Sequence, residues 1–143
     1  MILPFSKNNP ITKQPTEFPD KILAGIKINS IRYGYRWRAG MSIQMATGAR
    51  TKYYYQFNKD RPDLQECIST QNIEIIPAGK APKLGGYEMY TDHTILIEGK
   101  VIDKKTIELL AKNDGFDSLE DFWVWFGNDH LDGQIIHWTD FKY

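Results

Sequence analysis

The apolar residues of this 143-residue chain come in runs of only a few, broken throughout by eleven glycines and seven prolines. Such runs are too short for a membrane-spanning helix, which needs roughly 20 apolar residues in succession. They suit short strands, which need 4–8 residues of alternating character between turns. Met41-Ser42-Ile43-Gln44-Met45-Ala46-Thr47 alternates in this way, and Glu66 to Pro77 contains a strand that Pro77 ends. Thr51 to Phe57 reads as a strand or an extended tyrosine-rich loop, and Asn58 to Asp63 as a charged turn. Ile26 to Arg32 extends from a preceding helix, Ala78 to Gly86 is a loop, and Tyr87–Tyr90 and Thr94–Glu98 are short strands. Gly99-Lys100 then turns the chain into Val101-Ile102, and Gln134–Trp138 closes the set.

Helical signals are fewer. Thr16-Glu17-Phe18-Pro19 opens a helix that stops near Ala24 and Gly25. Asp103 caps a second over Lys104 to Lys112, with Ile107, Leu110 and Ala111 on one face and Asn113-Asp114-Gly115 as its stop. Ser118 caps a third, with Asp121 at the capping-box position and an aromatic body containing Phe122, Trp123, Trp125 and Phe126. The expected fold is therefore α+β: one domain over residues 1–143, a small curled sheet or β-barrel of about six strands, and three flanking helices. The start of the chain lacks signal-peptide character, and the lone Cys67, read as a buried strand residue, excludes an intramolecular disulfide, so a soluble cytoplasmic protein is the expectation.

The charges are unevenly placed. Eighteen basic and eighteen acidic groups cancel, yet residues 21–59 carry eight basic groups and no acid. Residues 60–102 carry four basic and seven acidic groups, and residues 103–143 four and nine. The basic stretch is also aromatic, with Tyr33, Tyr35, Trp37, Tyr53, Tyr54, Tyr55 and Phe57. Cations neutralise phosphates and ring faces stack on bases, so this interleaving suits a nucleic-acid or nucleotide ligand. The competing reading is a β-rich surface with aromatics turned inward and arginines solvated. Neutrality overall argues against tight non-specific binding of long duplexes and in favour of a small cleft. Arg32, Arg36, Trp37, Arg50 and Tyr53 are the candidate ligand-binding residues.

Three pieces in order carry a family resemblance: Gly25-Ile26-Lys27-Ile28-Asn29-Ser30-Ile31-Arg32 after an apolar helix end, Trp37-Arg38-Ala39-Gly40 before a strand, and Asp114-Gly115-Phe116 followed by a Ser118-capped helix. Together they resemble the ASCH domain family, a branch of the PUA-like β-barrels, over roughly residues 20–138. Ser30 stands where that family usually has threonine, Met41 where it often has aspartate, and Asp114 where glutamate is common. The resemblance implies binding of RNA or a modified nucleotide or nucleoside in a cleft beside the barrel. For some members it implies a ribonuclease, and for one bacterial branch an amidohydrolase acting on N4-acetylcytidine. On that basis the catalytic candidates are Lys27, Ser30 and Asp114. A lysine made neutral by burial can activate a hydroxyl three residues away, and Arg32 can hold a phosphate or a developing oxyanion. The bland reading of Asp114 is a helix-end turn residue, and of Ser30 a backbone hydrogen-bonding one.

The remaining candidates point elsewhere. His93, His130 and His137 lack metal-ligand spacing, and Asp129, His130 and Asp132 read as a chance cluster, so neither metal nor cofactor is expected. The aromatic third helix reads as core, except that its rings cannot all face one side, which leaves one for a cleft or a partner. Thr47-Gly48-Ala49-Arg50 is a turn with a single glycine, not a phosphate loop. A non-enzymatic interaction protein, such as a small phage or bacterial accessory factor, is the third reading beside the binding module and the hydrolase.

Overall fold

A computed structural model describes residues 1–79 and 92–143. The strand expected at Tyr87–Tyr90 and most of the loop before it lie outside the described residues. The elements run β1 (Ile2–Pro4), α1 (Phe18–Leu23), β2 (Asn29–Tyr33), β3 (Gln44–Thr47), β4 (Tyr55–Gln56), a 3-10 turn at Pro62–Leu64, β5 (Ser69–Ile76), β6 (Thr94–Ile97), β7 (Lys100–Val101), α2 (Lys104–Asn113), α3 (Leu119–Phe126) and β8 (Leu131–His137). The fold is α+β as expected, with three α-helices among the described residues. The described strands number eight rather than about six, and they form two open sheets, not a barrel.

The larger sheet has the order β2-β8-β5-β6-β7, antiparallel throughout. The smaller has the order β1-β3-β4, with β1 and β3 parallel. Strand β8 separates two apolar cores: Ile136 faces a cluster with Phe5, Phe18, Ile22 and Trp138, while Ile135 faces one with Ile73, Ile95, Leu110 and Phe122. The alternation of β5 follows from this arrangement, Ile73 and Ile75 being buried and Asn72 exposed between strands of the same sheet. Phe116 packs against both clusters and joins them.

Local chemistry explains the helix bounds. The Asp103 carboxylate accepts hydrogen bonds from the Thr106 amide at 2.9 Å and the Thr106 hydroxyl at 2.6 Å. The Ser118 hydroxyl accepts one from the Asp121 amide at 3.0 Å. Thr51 to Phe57 contributes only the two residues of β4 to a strand, the rest being a turn. Asn58, expected in a charged turn, is fully buried: its amide donates to the Ile43 and Leu64 carbonyls and its oxygen accepts from the Met45 amide. Cys67 is buried as expected, but just ahead of β5 rather than within a strand. No helix among the described residues is long and apolar enough to cross a membrane.

Candidate functional site

The C-terminal end of α1 and the C-terminal end of α2 meet at the start of β2, and this meeting brings the distant motif halves together. Gly25, in the left-handed region at φ 76°, turns the chain out of α1. The Ile28 amide then donates to the Asn113 carbonyl at 2.9 Å, locking the entrance of β2 onto the last turn of α2. Asp114 is the C-cap of α2, its amide donating to the Leu110 carbonyl at 2.9 Å. It is thus the helix-end residue that its sequence context suggests, and its side chain also faces Lys27.

Lys27 and Asp114 are 2% and 3% exposed. Lys27 Nζ donates to Asp114 Oδ1 at 3.1 Å and to the Asp114 carbonyl. Asn29 Nδ2 donates to the same Oδ1 at 3.2 Å, and the Tyr143 hydroxyl donates to Asn29 Oδ1 at 2.7 Å. The Phe18 ring covers the ammonium, its centroid 4.6 Å from Nζ. Gly115 is held at φ 92°, and a Cβ there would stand 2.9 Å from Lys27 Cδ and 3.0 Å from Phe18. A side chain at 115 therefore collides with the lysine stem.

Burial disfavours charge on both partners. Lys27 is lowered to about 8, because the loss of hydration outweighs the attraction of Asp114. Asp114 is raised, because burial outweighs the pull of Lys27. Arg32 is lowered to about 10 by desolvation and so stays charged at neutral pH.

One cavity of about 210 Å³ has Lys27, Ser30, Arg32 and Asp114 on its wall, with Phe5, Phe18 and Trp125 among the rings that complete it. The three residues expected to be catalytic therefore converge, together with one of the five expected to bind ligand. Their hydrogen bonding is not that of a ready nucleophile. Ser30 Oγ accepts from Arg32 Nε at 2.9 Å, while Lys27 is engaged by Asp114. A second Arg32 nitrogen donates to the Pro4 carbonyl, and its guanidinium carbon lies 5.0 Å from the Phe5 ring centroid. Arg32 is thus fixed between β1 and β2 with its hydroxyl partner preset.

The other four expected ligand-binding residues lie off this wall. Trp37 is buried in the first core, its amide accepted by Gln134 Oε1 at 3.0 Å and its carbonyl accepting from Gln134 Nε2 at 2.9 Å. Arg36, Arg50 and Tyr53 are exposed elsewhere. Among the described residues no cluster has the make-up of a metal site. His130 pairs instead with Glu74 at 2.8 Å, and Asp132 accepts from the Tyr35 hydroxyl. Of the α3 rings, one of which was expected at a cleft or a partner surface, Trp125 and Phe126 both stand on this cavity wall, the Trp125 ring centroid 5.7 Å from that of Phe18.

Asn29, Tyr143 and Phe5 are the site residues that sequence reasoning missed. Asn29 sits inside the Lys27–Arg32 motif, next to Ser30, and a second polar residue within an otherwise apolar-alternating stretch was the available signal. Phe5 and Tyr143 carry no local signal, because each reaches the site through pairing of distant segments. No protein-family model, curated protein or solved structure matches this chain.

Proposed function

We propose that the chain binds a nucleobase-sized ligand, a modified nucleoside or a single base of RNA, in the cleft between β2 and the end of α2. The supporting observation is a cavity that gathers Lys27, Ser30, Arg32 and Asp114 under aromatic walls. Planar ligands gain from ring faces, and a few convergent donors and acceptors fix their orientation. Arg32 supplies a fixed cation for a phosphate or carbonyl oxygen, and the Lys27–Asp114 pair supplies a donor and an acceptor side by side. The ASCH-like order of motifs agrees with this choice of ligand.

The test is an NMR titration with cytidine, N4-acetylcytidine and cytidine monophosphate at low and high salt. Shifts are expected at Ser30, Arg32 and Phe5, with the monophosphate binding more tightly than the nucleosides and losing that advantage as salt rises. Arg32→Ala is expected to remove the monophosphate's advantage. Unmoved cleft signals at millimolar ligand would sink the reading.

A second reading, hydrolysis of an N-acylated nucleoside, is favoured by the 3.1 Å Lys27–Asp114 contact beside Ser30. In that chemistry neutral Lys27 takes the Ser30 proton, Ser30 Oγ attacks the acyl carbon, and the amine leaves with a proton. Water then releases the acid from Ser30. With Lys27 titrating near 8, about one molecule in ten carries the neutral amine at pH 7. Turnover is therefore expected to rise about fivefold from pH 7 to pH 8, and Lys27→Ala to abolish it. Release of cytidine from N4-acetylcytidine, followed by chromatography, decides between the two readings.

A further inference from the structure

The loop from residue 48 to residue 54, between β3 and β4, is rigidly built yet hides almost nothing. The Thr51 amide and hydroxyl both donate to the Gly48 carbonyl, at 3.1 and 2.7 Å. The Tyr53 amide donates to the Thr51 hydroxyl at 3.1 Å, and the Tyr54 amide to the Thr51 carbonyl at 3.2 Å. Gly48 sits at φ 63°, where a Cβ would stand 2.5 Å from the Tyr53 carbonyl oxygen. Arg50 occupies the left-handed region at φ 64°, a conformation that costs energy for a side chain other than glycine. The backbone path is therefore over-determined.

This fixed path displays cations and rings. Arg50 and Lys52 are exposed, and Tyr53, Tyr54 and Tyr55 are 70%, 41% and 66% exposed. Lone aromatics on a surface are ordinary, but three in succession leave a large apolar area in water. Lys52 Nζ lies 5.2 Å from the Tyr53 ring centroid, so cation and ring already form one unit. No acid occurs in the sequence between residues 21 and 59. Tyr55 also borders a groove of about 370 Å³ lined by one cation, Lys7, and two acids, Glu17 and Asp20, whereas the Arg50–Lys52 side carries two cations and no acid.

We propose that Arg50, Lys52 and the tyrosines at 53–55 form a landing surface for single-stranded nucleic acid, separate from the cleft. Exposed ring faces stack on successive bases without regard to sequence, and neighbouring cations neutralise the backbone. An acidic protein segment is the rival occupant that the charge alone would also accept, but it makes no use of three exposed tyrosine rings. The proposal does not depend on the cleft reading, since none of these five residues stands on the cleft wall.

The experiment is fluorescence anisotropy of the full chain with fluorescein-labelled rU12, at 50 and 200 mM salt. Two phosphate contacts at a slope of roughly −0.7 each predict binding about sevenfold weaker at the higher salt. The double variant R50E/K52E is expected to weaken binding at least tenfold, and Y53A/Y55A by about tenfold or more, both with unchanged thermal midpoints. Nucleoside titration of the same variants is expected to be unchanged, which separates this surface from the cleft. Equal affinity in wild type and both variants, or no binding of rU12 at 50 mM salt and 100 micromolar protein, overturns the proposal. So does displacement by polyglutamate as effective as by unlabelled rU12, which would assign the surface to an acidic protein.

Discussion

Burying an ammonium beside a carboxylate, as with Lys27 and Asp114, costs more hydration than their attraction returns unless neighbouring groups share the load. Here Asn29, the Asp114 carbonyl and the Phe18 ring do so. Removing either charge alone strands the other. Lys27→Met and Asp114→Asn are each expected to lower stability by about 3 kcal/mol or more, while the double variant recovers much of the loss. Urea unfolding of the four proteins measures this, and additive losses would show that the two side chains do not act as a pair. The free amine is expected to titrate near 8, read from the Lys27 Cε chemical shift. Half of this site was legible beforehand, since Lys27, Ser30, Arg32 and Asp114 occupy recognisable motif positions. Phe5 and Tyr143 were not, because their approach to the site depends on tertiary pairing that no local pattern encodes.

At the level of elements, the strands that alternate cleanly were legible, and those made by pairing alone were not. β5 and β6 follow their hydrophobic pattern, and α2 and α3 begin at the expected caps. β1 escaped notice because it is three residues long, ends in proline and gains its identity only from parallel pairing with β3, some 40 residues away in sequence. β8 begins at Leu131, earlier than expected, and carries Gly133 opposite Tyr33 of β2. A Cβ at Gly133 would fall 2.0 Å from the Arg32 carbonyl oxygen. The glycine therefore allows β2 to approach β8 closely at the residue that fixes the cleft. Gly133→Ala is expected to push the two strands apart, lowering stability and disturbing the Arg32–Ser30 contact more than the β5–β6 pairing. Amide exchange at Arg32 and Tyr33, faster than in wild type while Ile95 and Ile97 change little, is the expected pattern. Equal acceleration in both regions would mean that the effect is global unfolding instead.

For the whole molecule, neutrality hides a division of labour: the acid-free segment supplies β2, the exposed loop and Lys27, while the acid-rich end supplies Asp114. What ties these regions together is β8, which lies between the two cores and ends at His137. That histidine is fully buried, with Nε2 donating to Gln71 Oε1 at 2.9 Å, and Nδ1 has no hydrogen-bond partner among the described residues. Gln71 in turn accepts from the Tyr143 amide and donates to the Tyr143 carbonyl, both at 2.9 Å, which connects His137 to the residue behind the cleft. Burial, helped by Lys142, lowers His137 from 6.5 to about 4. Its folded pKa lies below its unfolded one, so between these values the unfolded chain takes up a proton that the folded chain refuses. Stability from this group is complete above pH 6.5 and falls as pH drops towards 4, by at most about 3 kcal/mol. Asp114, raised in the fold, contributes with the opposite slope, so the His137 effect has to be isolated by difference. Unfolding free energies of wild type and His137→Gln, measured from pH 8 to pH 4, provide that difference. The wild type is expected to lose stability more steeply than the variant across this range and to run parallel to it above pH 7. Parallel curves throughout would mean that His137 titrates equally in both states and that the link between β5 and β8 is not its seat of acid sensitivity.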